Sequence, residues 1–574
     1  KKKKESALIM RKQTKLVAVL STAALLAIGA SMTSFAAQGW AEEDGTWVYY
    51  DRNGDRVTDK WAKSGNNWYY LDSDGEMAID TLIEDGDNYY YVDINGVMAS
   101  NQWVAIENED AGEDDEPDNY WYYFQANGKA LKNSGDNVSL KTINGKKYAF
   151  DDEGKMLYGW VASDNAERID NTDGDAFKDG VYYFGGADDG AMTVGWLQMD
   201  ITYEEATNDE YKYVAPVFTD DEDQSRWFYF KSNGKKIYAD NGEETKEKTI
   251  NGKKYAFDQN GAMVAEWSMD ETKVATADMP ATPGKASTAK YSQAWRYFNS
   301  VEDGSRVSKG WFKVVSAEYL NDDKYNDDED SWYYADGSGN LYAGEFKTIK
   351  GKKYAFRNDG RMIDGLKFIN PKDLTKVYAD DDSDHPFDTE DDFIDSALWY
   401  AANNYNCYYF GDGNDGAMKT NKTNITIDGD NFNFYFEKSG SSKGAGVNGE
   451  KDDKYYLGGM LLKAGSDDKY QAIKYIDKAG EEKGWKKLAD AQAVIDEFKV
   501  TSDTSKIEEA KKAASSFNKK ADDLKELYIL PDNDLKLINT SGKVIDKKGK
   551  SKDGNDYVYV TDNKGVIRVI YVED

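Results

Sequence analysis

Thiol and imidazole chemistry is nearly absent from this chain of 574 residues, which holds one cysteine, Cys407, and one histidine, His385. A single thiol excludes an internal disulfide framework. Zinc centres draw on several His and Cys ligands, and Cys–His hydrolases need both side chains in one pocket, so no metal site and no cofactor is expected. Proline is scarce at 7, and no long Pro/Ser-rich linker divides the chain. Basic charge is in deficit as well. Against 106 Asp and Glu stand 73 Lys and Arg, a formal net charge of -33, which opposes phosphate backbones and excludes nucleic acid as the expected partner.

Aromatic residues and glycine are abundant instead, with 42 Tyr, 22 Phe, 15 Trp and 50 Gly. They recur in order. The stretch Trp61 to Met77 opens on Trp61, crosses the turn Ser64-Gly65-Asn66-Asn67, and runs through Trp68-Tyr69-Tyr70-Leu71. It then turns again at Asp72-Ser73-Asp74-Gly75 and leaves through Met77. Two short strands joined by a polar Gly/Asn loop predict a β-hairpin. The turn glycines Gly54, Gly75 and Gly96 keep a constant spacing of 21 residues. A hairpin of that size cannot bury its own aromatic face, so the copies must stack into a solenoid.

The first 36 residues read as upstream residues followed by a secretory signal peptide. Met10 precedes the basic Arg11, Lys12 and Lys15, then an apolar run from Leu16 to Ala30 and a small-x-small site at Ser34-Phe35-Ala36. A secreted, surface-associated protein with no membrane span after cleavage is expected. Residues 37–106 hold the regular short repeats. Residues 107–470 hold longer copies with acidic loop insertions, including the variant Thr142-Ile143-Asn144-Gly145-Lys146-Lys147-Tyr148-Ala149-Phe150 and its kin from Thr249 and Thr348. His385, inside one acid-rich insertion, reads as a surface loop, and Cys407, in a repeat strand, as packing. Residues 471–536 predict a helical hairpin: Leu488, Ala491, Ile495 and Phe498 share one helical face, as do Ile507, Ala510, Ala514 and Phe517, and Ser505 with Glu508 fits a capping box. Residues 537–574 return to a repeat-like β unit around Tyr557-Val558-Tyr559.

The series of tryptophan, polar turn, Trp-Tyr-Tyr, Asp/Asn-Gly and Met resembles the cell-wall-binding repeats of Gram-positive surface proteins, known as choline-binding repeats. The Ile-Asn-Gly-Lys-Lys-Tyr variant is similar to the related repeats of clostridial toxins and glucan-binding proteins. That resemblance implies a mainly β solenoid of stacked hairpins, with choline held between neighbours by about three aromatic side chains and an apolar one. It implies noncovalent attachment to the cell wall through choline-bearing teichoic acid or a related glycan. The expected ligand-binding residues are Trp40, Trp47, Trp61, Trp68, Tyr70, Met77, Tyr90 and Trp103. Copies that depart from the pattern, with Leu82 at the leading position, Tyr89 for Trp, or Ala149, Ala256 and Ala355 in the strand, are expected to be structural.

The chemistry agrees with the residue types. A quaternary ammonium offers no ordinary hydrogen bond and is held by ring faces, each worth about 0.5–2 kcal/mol. The same rings can equally fill a core or stack on sugars. Enzymatic activity is not expected, because repeats leave no sizeable catalytic segment; the alternative is a wall hydrolase, an amidase or glycosidase, built on paired carboxylates. Asp-rich turns such as Asp412-Gly413-Asn414-Asp415-Gly416 read as solvated turns, since none completes an EF-hand loop.

Overall fold

The computed structural model describes residues 38–201, 224–240, 242–378 and 384–573. The export segment expected over residues 1–36 lies outside them. Among the described residues no helix is long and apolar enough to cross a membrane. The described residues divide into two compact units, one formed by those up to 272 with 297–306, the other by 273–296 with those from 307 onward.

In the first unit each expected hairpin forms as a separate two-stranded antiparallel sheet. Gly39–Glu43 pairs with Thr46–Tyr50, Lys60–Ser64 with Asn67–Leu71, Thr81–Asp85 with Asn88–Val92, and Gln102–Glu107 with Asn119–Phe124. Shorter and longer copies follow through Lys246–Ile250 with Lys253–Phe257. Side chains alternate across each strand. In the second hairpin Tyr69 and Leu71 are buried on one face, while the other carries Trp61 opposite Tyr70 and Lys63 opposite Trp68. The Asp-x-x-Gly turn has a local cause. Asp72 Oδ1 accepts hydrogen bonds from the backbone N–H of Asp74 and Glu76 at 2.9 and 2.8 Å, and Asp93 does the same for Asn95 and Val97.

Successive hairpins are joined by a repeated backbone bond. The N–H of Met77 donates to the Trp47 carbonyl at 2.7 Å, Met98 to Trp68 at 2.9 Å, Met156 to Trp121 at 2.7 Å, and Met263 to Trp227 at 2.8 Å. The methionine side chain then lies under the turn glycine of the following copy. Gly96 adopts φ 74°, and a Cβ there would meet Met77 Sδ at 2.8 Å. The turn therefore needs glycine for its left-handed backbone and also for the sulfur beneath it.

The second unit begins with two such hairpins, Gly310–Val315 with Asp330–Ala335 and Glu345–Ile349 with Lys352–Phe356, and then changes character. Three further sheets of three, five and four strands lie beyond residue 365, besides a three-stranded sheet built on Tyr470–Lys478. A helix not expected from the sequence, Glu390–Ala402, packs Phe393, Ala397, Leu398 and Tyr400 into the largest core cluster of this unit. Its first turn, Glu390, Asp391 and Asp392, looks like part of an acidic insertion. Those acids instead complement the positive end of the helix, and Thr389 caps it by accepting from the Asp392 N–H. His385 lies in a loop as expected but is half-buried there, stacked on Trp399 at 3.8 Å. Cys407 is buried in the strand Asn406–Tyr409.

The helical hairpin expected over residues 471–536 is corrected. Tyr470–Lys478, Glu482–Lys487 and Leu524–Ile529 are strands. Only two short α-helices remain, Ala491–Phe498 and Ile507–Ala513, besides a single 3-10 turn at Ala521–Asp523, and the two pack into different core clusters rather than on each other. The inward residues of each face were legible, but sheets cover them. Ser505 is not a capping partner either; its hydroxyl donates to Asp503 at 2.5 Å. The terminal segment is likewise not a stacked two-stranded repeat. Tyr557–Thr561 is an inner strand of a four-stranded sheet with Gly549–Lys552, Ile567–Glu573 and Leu524–Ile529, because Val558, Val560, Val569 and Tyr571 need burial that a lone hairpin cannot give.

Candidate ligand cages between hairpins

Between the second and third hairpins a cleft of about 720 Å³ is lined by Trp61, Trp68, Tyr90 and Met98, with Asp93 and Asn127 at its edge. Two of these side chains belong to one hairpin and two to the next. Trp61 and Trp68 share the outward face of the second hairpin, and Tyr90 comes from the facing side of the third. Met98 is placed by its backbone bond to Trp68. Trp61 and Tyr90 lie 5.0 Å apart, centroid to centroid, with planes inclined at 59°, so the rings form walls rather than a closed stack. Trp68 is 39% exposed, the most open large aromatic of the set.

The surroundings favour a cation. Asp85 accepts from the Trp61 indole N–H at 3.1 Å and brings a carboxylate beside the rings. Burial, aided by the Asp85 charge, raises the Tyr90 hydroxyl above its ordinary value, so this ring stays neutral. An ammonium already uses one of the rings: Lys63 Nζ lies 5.6 Å from the Trp68 ring centroid.

Of the eight expected residues, Trp61, Trp68 and Tyr90 meet in this cleft. Trp40, Trp47 and Met77 occupy the same positions one seam earlier, where Trp40 approaches Tyr69 at 5.2 Å and Met77 bonds back to Trp47. Tyr70 packs edge-on against Trp61 at 5.2 Å and does not line the cleft. Trp103 belongs to a later seam, 4.9 Å from Tyr148. Tyr69 and Met98 were missed, although an offset carries the signal: Trp40, Trp47, Tyr69 and Met77 repeat as Trp61, Trp68, Tyr90 and Met98, each 21 residues on.

The same geometric set recurs in the longer copies. Trp103, Trp121, Tyr148 and Met156 form it in a closed version, with Trp121, Tyr148 and Met156 all buried and the Trp121 indole donating to Asp188 at 3.2 Å. Trp196 stands 6.2 Å from Trp227 and 4.8 Å from Tyr255, above Met263. In the second unit Trp311 stands 6.3 Å from Trp332 and 4.8 Å from Tyr354, with Met362 in the same cluster. Ala149, Ala256 and Ala355 sit on the opposite, fully buried face, so the Tyr beside each is free to serve the seam. Between the third and fourth hairpins Leu82, Tyr89, Tyr122 and Ala130 fill the corresponding positions as plain core.

A family model for the choline-binding repeat matches residues 37–81 and 57–103, and one for the cell wall binding repeat matches residues 116–130. Glucosyltransferase-S of Streptococcus mutans is 25% identical over 258 residues, 45% of this chain and 12% of that protein. Among solved structures, the modular autolysin LytC of Streptococcus pneumoniae superposes with a TM-score of 0.28 at 18% identity, over 58% of this chain and 54% of that one. Choline-binding protein F of the same organism gives a TM-score of 0.22 at 16% identity, over 75% and 100%. The chain thus spans about half of the autolysin and a small part of the glucosyltransferase. The repeat matches coincide with the first four hairpins and the seams between them, so residues 37–130 of the chain carry choline-binding and cell wall binding repeats.

Proposed function

We propose that the protein holds itself noncovalently at the cell surface by binding choline carried on wall teichoic acid, and that Trp61, Trp68, Tyr90 and Met98 form its best-exposed site. The observation that carries this reading is the open cleft walled by three aromatic rings and a thioether, with one carboxylate, Asp93, and no basic side chain in its lining. A trimethylammonium head fits such walls because it is cationic, weakly hydrated and unable to use a directional donor. Trp40, Trp47, Tyr69 and Met77 supply the neighbouring site, and the sets around Trp196 and Trp311 supply further ones. Binding then extends from the regular repeats of residues 37–106 into the longer copies of residues 107–470, while the part beyond residue 470 serves as a spacer or display surface. The protein is in this reading a secreted binding protein and not a hydrolase.

Titration calorimetry with choline, and in parallel with N-acetylglucosamine oligomers, tests the proposal. Saturable choline binding that Trp61→Ala weakens supports it. Binding of the sugar alone would move the ligand to a glycan stacked on the same rings, and a cleared band on a zymogram of purified walls would favour the hydrolase.

A further inference from the structure

In the seam between the sixth hairpin, Trp160–Val161 with Tyr182–Tyr183, and the seventh, Gly195–Ile201 with Gln224–Phe230, the four cage positions read Trp160, Val181, Phe228 and Lys236. The register is fixed by the backbone: the Lys236 N–H donates to the Val181 carbonyl at 2.7 Å, as Met98 does to Trp68. Lys236 therefore stands where the other sets have methionine, and like them it lies beneath the next turn glycine, Gly261.

The side-chain nitrogen of Lys236 occupies the cage itself. Its Nζ lies 5.0 Å from the Trp160 ring centroid, 5.9 Å from Phe228 and 6.0 Å from Tyr238, and it donates to the Phe177 carbonyl. Lys236 is 2% exposed, Trp160 2% and Phe228 0%. Phe177 packs on Phe228 at 5.9 Å and closes the side left open by Val181, while Gly180 lets the backbone pass against the Trp160 indole. Burial drives the amine down, and the Asp258 and Asp179 charges draw it back up.

We propose that this seam is a self-liganded ammonium cage, in which Lys236 supplies from within the chain the cation that the other cages take from the wall, and which therefore binds no choline. The inference deepens the choline reading, but its test does not depend on it.

Lys236→Ala removes the side chain beyond Cβ, a volume matched by n-propylammonium. At pH 6, thermal unfolding of the full chain is measured with tens of millimolar n-propylammonium chloride, 1-propanol or NaCl. The variant is expected to melt lower than wild type, and n-propylammonium is expected to recover at least half of that loss, beyond any shift it gives wild type. Equal recovery by 1-propanol, or no recovery beyond the wild-type shift, would overturn the proposal. Should Lys236→Ala not fold, acetylation of the wild-type protein with mass-spectrometric readout decides the matter: Lys236 is expected to react at least tenfold more slowly than the exposed Lys63, and equal rates would overturn it. Failure of choline to bind wild type would sink the choline reading and leave both of these outcomes intact.

Discussion

Met98 and Tyr90 reach the same cleft as Trp61 and Trp68 because the hairpin fold splits each cage between neighbours. A single copy of the motif shows which residue types are needed and hides which copies meet. Reading one repeat at a time joins Tyr70 to Trp61, correctly as a contact, and assigns it a ligand role, whereas the residue that lines the cleft with Trp61 is Tyr90. On this arrangement Tyr90→Ala and Trp68→Ala should each weaken choline binding at this cleft by about 2- to 30-fold, the loss of one ring face at about 0.5–2 kcal/mol, while Tyr70→Leu should change it far less. Fluorescence titration of the three variants checks the ranking.

Lys236 carries a second prediction at the same scale. Burial lowers its amine from 10.5 to about 7. A depressed folded value means the unfolded chain holds the extra proton between these limits, so this group's contribution is present above 10.5 and is lost as pH falls through 7. Between pH 7 and 9 the unfolding free energy of wild type should therefore rise relative to that of Lys236→Met, as measured by urea melts at stepped pH. A flat difference across that window would show that the amine titrates normally.

At the scale of the element, the hairpins were legible and their surroundings less so. Period, turn chemistry and alternation define Lys60–Ser64 with Asn67–Leu71 completely, because each of those signals is local. The link between hairpins is not local. It rests on a methionine of one copy lying under the glycine of the next, which sequence shows only as two conserved-looking letters in separate repeats. Gly96→Ala should cost about 2 kcal/mol or more, from the positive φ and from overpacking on the Met77 sulfur. Adding Met77→Ala should relieve the packing share and leave the backbone share, which a double-mutant cycle by urea unfolding measures. Beyond residue 365 the repeat signal gives way to larger sheets. There Glu390–Ala402 was hidden by its acidic first turn, and the strands around residues 470–487 by a Lys-rich composition that also suits helices. Such segments are decided by what covers them, and that information is distributed over the chain.

For the whole molecule the relevant quantities are the number of cages and the net charge of -33. Weak sites of a few ring faces each become firm attachment only when several engage one repeating polymer. If that polymer is the proposed teichoic acid, the acidic surface opposes approach to its phosphates, attachment at low salt has to come from the cages against the field, and added salt should strengthen it. On the proposed function free choline should also raise Tm in a concentration-dependent way, through binding to the folded seams and not to the unfolded chain.

The most direct test is retention of the purified protein on choline-bearing cell walls and on the same walls with ethanolamine in place of choline, washed with choline chloride or with NaCl of equal ionic strength. Retention on the choline walls alone, and release by choline but not by NaCl, is the expected result. Equal retention on both walls, or release by NaCl as readily as by choline, would contradict it.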